Sequence, residues 1–73
     1  MTARRFDIEI DGSRLGYVYA KTAMDAAKRF VNGGWCLRGD ADTLRYECPV
    51  GRDGYEYALG ETRFVVRLIR ASA

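Results

Sequence analysis

Ala20–Gly39, AKTAMDAAKRFVNGGWCLRG, is the stretch that decides the fold, because helical periodicity appears here and β-type alternation lies on both sides of it. Its apolar residues recur at intervals of three and four positions, which is typical of one buried helix face. The pattern predicts a buried stripe of Ala23, Ala27, Phe30 and Val31, with Met24 beside it. The expected outward face consists of Asp25, Lys28, Arg29 and Asn32.

Both ends of this helix carry capping signals. Thr22 is followed three residues later by Asp25, which approximates a capping box and places an acid in the first turn. The run Asn32-Gly33-Gly34 ends the helix, since glycine readily takes the left-handed cap conformation.

Two strands are predicted before the helix. Phe6, Ile8 and Ile10 alternate with acidic residues, and the turn chemistry of residues 11–13 indicates a hairpin. The second strand covers residues 15–20, and two sets could form its inner face. These sets are Leu15, Tyr17 and Tyr19, or Val18 and Ala20. The larger area of the tyrosines favours their being at least partly covered.

Three strands are predicted after the helix. Trp35, Cys36 and Leu37 should return the chain to the core, and residues 38–42 form a loop. The third strand carries Leu44, Tyr46, Cys48 and Val50 on one side, alternating with Arg45 and Glu47, and the fourth carries Tyr55, Tyr57 and Leu59. Pro49 has no N–H to donate, so the third strand should end there or lie at a sheet edge.

The fifth strand covers residues 62–70 and also alternates. Phe64, Val66 and Leu68 face one side, and Arg63, Val65, Arg67 and Ile69 face the other. The sequence therefore predicts one α+β domain over residues 1–73, a ββαβββ fold in which an antiparallel sheet carries one helix on a face.

Composition argues against an enzyme. The chain has 73 residues and no histidine, so it lacks the usual general base near neutral pH and the usual zinc ligands. Cys36 and Cys48 are too far apart for a CxxC pair; a disulfide is open, but buried thiols are favoured. Asp40 and Asp42 are expected to form a solvated acidic loop. We expect no catalytic residue, no metal and no cofactor.

The N-terminus leads directly into alternating strand, without the apolar region of a signal peptide. No apolar run approaches membrane-spanning length. The expected location is the cytoplasm, with no membrane partner.

Basic residues define two candidate binding surfaces. The chain carries ten arginines and two lysines, with a net charge of only +2. The first surface is the outward helix face with its flanks, formed by Lys21, Lys28, Arg29 and Arg38. The second is the sheet face away from the helix, where Arg63 and Arg67 accompany Arg45, Val65 and Ile69. Acids are expected to share that sheet face, which favours a protein partner over a phosphate backbone.

The helix segment resembles a small family of anti-CRISPR proteins from phages and mobile elements. The similarity lies in the AKT at residues 20–22, the AKRF at residues 27–30, and Cys36-Leu37 followed by Gly39. The resembling proteins act on the type I-F RNA-guided surveillance complex. They are not enzymes; they bind its backbone subunits and obstruct pairing of target DNA with the guide RNA.

The resemblance implies a monomeric inhibitor in the host bacterial cytoplasm, with Lys21, Lys28 and Arg29 as contact candidates. Its contact with nucleic acid would be weak or indirect. The alternative is a small nucleic-acid-binding accessory domain of a phage or mobile element. A structural subunit of a phage particle is a third possibility, and it would require self-assembly.

Overall fold

A computed structural model of the protein describes residues 3–33 and 39–70. Its elements are β1 (Arg4–Ile10), β2 (Ser13–Ala20), α1 (Ala23–Asn32), a short 3₁₀ turn (Ala41–Thr43), β3 (Arg45–Val50), β4 (Gly54–Leu59) and β5 (Thr62–Ile69). The strands form one antiparallel sheet in the order β2-β1-β5-β4-β3. This arrangement confirms the α+β, ββαβββ prediction.

Tight turns set the hairpins. Asp11 and Gly12 both have positive φ, at 52° and 81°, and form the two-residue loop between β1 and β2. A loop with two left-handed residues matches the twist of the strands that it joins, which is why the Asp-Gly signal is strong. At the start of β4, a Cβ on Gly54 would collide with the carbonyl oxygen of Val50, so this position requires glycine.

The helix begins as predicted. The Thr22 hydroxyl oxygen accepts a hydrogen bond from the backbone N–H of Asp25 at 3.2 Å. The buried face consists of Ala26, Ala27, Phe30 and Val31, with Ala23 and Met24 partly covered. The stripe is therefore wider than the predicted one by Ala26, because small alanine side chains let the helix lie close to the sheet.

The helix ends at Asn32, but Gly33 is not left-handed as expected. Its φ is −68°, in the right-handed region, and its N–H donates to the carbonyl of Arg29 at 3.0 Å. Gly33 thus continues the helical geometry by one residue. Gly34, Trp35, Cys36, Leu37 and Arg38 lie outside the described residues.

The core lies between the helix and one face of the sheet. Ile8 on β1 and Val66 on β5 stand opposite each other at the centre, and both are completely buried. Phe6, Tyr57, Leu59 and Phe64 extend this layer. The alternation predicted for β1, β4 and β5 is confirmed.

The expected covering of the β2 tyrosines is wrong. Tyr17 and Tyr19 are each 52% exposed on the sheet face away from the helix, whereas Val18 is half-buried and Ala20 buried. Pairing with β1 sets this orientation, because Val18 stands opposite the buried Phe6 and Gly16 opposite the buried Ile8. Tyr17 and Tyr19 stand opposite Asp7 and Arg5, so they point away from the helix.

The side-chain pattern of β3 also departs from simple alternation. The pairing register with β4 shifts between Tyr46 and Cys48. Tyr46 consequently contacts the core side, with its ring centroid 5.5 Å from that of Tyr57, while Cys48 stands opposite Glu56. A bulge reverses the direction in which the following side chains point, so Tyr46 and Cys48 do not share a face. The predicted edge position of β3 is confirmed.

The acidic loop is more ordered than expected from its composition. Ala41–Thr43 forms the 3₁₀ turn, and a side-chain oxygen of Asp40 accepts from the N–H of Asp42 at 2.9 Å. Ala41 is buried against the core, which anchors the loop. Asp40 and Asp42 themselves are exposed, as predicted.

Phe30→Ala should destabilise the domain by about 3–5 kcal/mol, because truncation leaves a cavity between the helix and β2. That loss is comparable to the whole stability of a small domain. Urea unfolding followed by circular dichroism measures it. Lys28→Ala, at an exposed position of the same helix, is the matched control and should change stability by less than about 0.5 kcal/mol. Equal small effects would show that the Phe30 ring is not buried.

Candidate functional site

The sheet face away from the helix is one candidate binding surface, and we refer to it as the open face. Within the described ranges, no secondary-structure element packs over it. Its side chains include Arg5, Asp7, Glu9, Arg14, Tyr17, Tyr19, Arg45, Cys48, Glu56, Ala58, Arg63, Val65, Arg67 and Ile69. This placement confirms the prediction that four β5 residues point away from the core: Arg63, Val65, Arg67 and Ile69.

Most charges on the open face pair with one another. Asp7 is only 9% exposed and lies between Arg5, at 3.1 Å, and Arg14, at 3.7 Å. Arg67 contacts Glu9 at 3.2 Å across the β1–β5 pair. Because these acids neutralise the arginines locally, the face does not present the continuous positive field that a phosphate backbone requires. A mixed, self-paired surface fits a protein partner better.

One corner of the open face is aromatic. The Arg5 guanidinium lies 4.3 Å from the centre of the Tyr17 ring, and Tyr17 packs edge-on against Tyr19 at 5.8 Å. Ile69, also exposed, stands opposite Arg5 on the neighbouring strand. Tyrosine and arginine are the residue types enriched at the energetic centres of protein interfaces. This corner was not identified from the sequence. The pattern that could have revealed it is the alternation of the small residues Gly16 and Ala20 with the tyrosines, which indicates that the tyrosines point away from the core.

The outward face of α1 is the second candidate surface. Lys21, Lys28 and Arg29 are all exposed. In the part of the chain that the structure describes, no carboxylate lies within ion-pair distance of any of the three. Arg29 donates a hydrogen bond to the backbone carbonyl of Tyr19 at 3.3 Å, so its guanidinium is held over the β2 edge. These cations can pair with a partner's acids at little cost to the fold.

The structure separates the two predicted groups of site residues. Lys21, Lys28 and Arg29 belong to the helix side, while Arg63 and Arg67 lie on the open face. Arg63 is exposed, but Arg67 is half-buried by its pairing with Glu9. Arg67 is thus also a structural residue. Arg38, the remaining predicted contact, lies outside the described residues.

A further ion pair, between Arg70 and Asp53, lies just after the end of β5. The Arg70 guanidinium donates to Asp53 through Nε and Nη2, at 3.1 and 3.0 Å from the same carboxylate oxygen. These hydrogen bonds hold the pKa of Asp53 below its ordinary value and raise that of Arg70. The pair ties the end of β5 to the β3–β4 turn.

Cys48 is exposed, which corrects the expectation of a buried thiol, and within residues 3–33 and 39–70 it is a free thiol; Cys36 lies outside these ranges. Its position on an edge strand after a bulge explains the exposure. Partial desolvation, followed by the nearby Glu56 carboxylate at 3.7 Å, raises the pKa of the Cys48 thiol. A raised pKa suppresses the thiolate, which is the nucleophilic form.

Over residues 3–33 and 39–70, no group of three or more cysteine, aspartate or glutamate side chains is arranged to hold a metal ion. None of the helical segments described is long and apolar enough to cross a membrane. Comparisons with models of protein families, with curated proteins and with solved structures find no match to this chain. The functional argument therefore depends on the surfaces described above.

The Cys48 thiol should react slowly with iodoacetamide at pH 7, and Glu56→Gln should accelerate the reaction several-fold. Removing the carboxylate lowers the thiol pKa and increases the thiolate fraction. Rates are measured in a Cys36→Ser background, so that one thiol reports. Glu61→Gln, which removes an acid from the β4–β5 turn, is the control and should leave the rate unchanged. An unchanged rate in Glu56→Gln would contradict the assigned cause.

Proposed function

We propose that this domain is a non-enzymatic inhibitor of the anti-CRISPR type. It binds the backbone subunits of a type I, I-F-like, RNA-guided surveillance complex and blocks the binding of target DNA. It acts as a monomer in the host cytoplasm. The observation that carries the proposal is the outward helix face, where Lys21, Lys28 and Arg29 are exposed and lack carboxylate partners in the described ranges. These three residues fall in the segment that resembles the anti-CRISPR family.

The absence of histidine and the raised thiol pKa of Cys48 support binding rather than catalysis. General-base and nucleophilic catalysis both require a group poised to accept a proton or attack near neutral pH. The side chains of the open face are instead engaged with one another, through Arg5–Asp7 and Arg67–Glu9.

Charge distribution supports inhibition by steric occupation. A complex that holds nucleic acid lines the path with lysine and arginine. Asp40 and Asp42 are exposed beside the 3₁₀ turn, and Glu47 is exposed on β3. These acids can occupy such a basic path, while the helix cations contact acidic patches on the same subunits. With acids on one part of its surface and cations on another, so small an inhibitor could block the nucleic-acid path of the complex. It would not need to imitate the shape of a long DNA duplex.

Reversing both helix charges, Lys28→Glu with Arg29→Glu, should lower affinity for the surveillance complex at least about 100-fold, since like charges then face the acidic patches. The melting temperature should change little, because exposed charges contribute little to stability and only the Arg29–Tyr19 hydrogen bond is lost. Co-purification with the tagged complex, followed by a DNA-binding assay on it, measures the loss of affinity, and thermal unfolding followed by circular dichroism measures the melting temperature.

Arg63→Glu is the matched control on the open face. It reverses an exposed charge without disturbing the Arg67–Glu9 pair. If Arg63→Glu alone abolished binding, the protein would still be a binder, but the helix would not be its contact surface. If neither variant affected binding, the acids Asp40 and Asp42 would be the remaining contacts to reverse.

A nucleic-acid-binding accessory domain is the second candidate. The exposed pair Tyr17 and Tyr19, with Arg5 beside them, favours it, because bases of single strands stack on such rings.

The isolated protein should bind single-stranded or duplex DNA weakly, with a dissociation constant above about 10 μM at physiological salt, because acids interrupt its arginines. Fluorescence anisotropy with a labelled oligonucleotide measures this affinity across a salt series. Tyr17→Ala with Tyr19→Ala is the companion variant. Submicromolar affinity with a steep salt slope, lost in that variant, would replace the inhibitor proposal with the accessory-domain alternative.

A further inference from the structure

The two edges of the sheet are protected very differently. The β3 edge carries Pro49, which has no N–H, and a bulge between Tyr46 and Cys48, two devices that prevent another strand from pairing. The β2 edge, Ser13–Ala20, contains no proline, and its one register shift lies at Leu15, which leaves Gly16–Ala20 regularly paired with β1. Among the described residues, no strand pairs with its outer side. The Gly16–Ala20 part of the β2 edge is therefore open to strand addition.

The hydrogen bond of Arg29 identifies which β2 groups point outward. In an antiparallel pair, residues alternate between those that bond to the partner strand and those that direct N–H and C=O away from it. The Tyr19 carbonyl accepts from the Arg29 side chain, so we infer that Tyr19 belongs to the outward set. Tyr17, two residues earlier in the same register, then belongs to it too. Their backbone groups form the template that a sixth strand would use.

Cations surround this template. Arg14 lies at one end of β2, with more than half of its side chain exposed beside its 3.7 Å contact with Asp7, and Lys21 follows the other end without a carboxylate partner among the described residues. Arg29 lies over the edge between them. Next to the strand, Leu15, Gly16, Val18 and Phe30 line a shallow recess with room for an apolar side chain.

We propose that the β2 edge is a docking site for an extended, acidic segment of a partner protein, which adds to the sheet as a sixth strand. A backbone N–H of that segment would replace Arg29 at the Tyr19 carbonyl, and the released guanidinium would pair with one of the segment's carboxylates. Main-chain hydrogen bonds give affinity in this mode and side-chain positions give specificity. The proposal goes beyond the inhibitor function and does not depend on it.

Charge argues against a second copy of the chain as the occupant. If β2 paired antiparallel with itself through its outward groups, with Tyr17 of one copy opposite Tyr17 of the other, Arg14 of each copy would stand opposite Ala20 of the other, next to its Lys21. Cations would meet cations at both ends of the pairing, which is unfavourable across neighbouring strands. An acidic segment meets the same positions with opposite charge.

The probe is a short fluorescein-labelled peptide in which glutamate alternates with valine or threonine, and the readout is fluorescence anisotropy. We expect saturable binding to the full chain, weakened at least about tenfold when lysine replaces the glutamates. Amide exchange followed by NMR should show new protection at Tyr17 and Tyr19 on peptide binding. The same peptide methylated on alternate backbone nitrogens should not bind, and this control leaves the protein unchanged.

On the protein side, Tyr17→Pro removes one outward N–H and should abolish binding, while Tyr17→Thr retains the N–H and should keep it. Circular dichroism establishes whether both variants fold. If Tyr17→Pro does not fold, the methylated peptide tests strand addition with the unchanged protein. Equal binding of the lysine and glutamate peptides would overturn the acidic chemistry. Binding without protection at Tyr17 and Tyr19 would overturn strand addition. A stable dimer in sedimentation analysis would make a second copy the occupant.

Discussion

The packing of Ile8 against Val66 at the centre of the sheet is the constraint on which the other surfaces depend. Both side chains are completely buried, and they belong to the first and last strands, which pair in the middle of the sheet. A slip of one residue would exchange the two faces of a strand. The same register that hides Ile8 therefore sets Arg67 opposite Asp7 and Val65 opposite Glu9 on the open face. The ion pairs of that face are a consequence of the core.

Strand and helix positions could be predicted because each depends on local pattern. The Thr22 cap, the Asp11-Gly12 turn and the alternation of β5 are encoded in neighbouring residues and were identified correctly. The orientation of β2 was not local. It depends on the register with β1, which sets Val18 opposite Phe6 and Gly16 opposite Ile8, so the greater area of Tyr17 and Tyr19 gave the wrong answer. The bulge in β3 likewise results from pairing with β4.

The candidate site was predictable in part for the same reason. Exposure of Lys28 and Arg29 follows from helical period alone. The pairing of Arg67 with Glu9, which makes Arg67 less available to a partner, cannot be predicted from local period, because Glu9 is 58 residues away in the chain. The difference between the β2 and β3 edges also requires the strand order. Sequence therefore identified the charged residues, whereas tertiary pairing decides which of them a partner can reach.

The central position of the last strand has a consequence for synthesis. Residues 4–59 emerge from the ribosome before β5, and they include two hairpin-forming regions that do not pair with each other except through β5. Until Thr62–Ile69 is available, β1 and β4 each expose a pairing edge. The apolar face of the helix also lacks part of the sheet surface on which it packs. Folding must then wait for contacts of long sequence separation, which form slowly. The nascent chain is most vulnerable to aggregation and proteolysis just before its final strand is added.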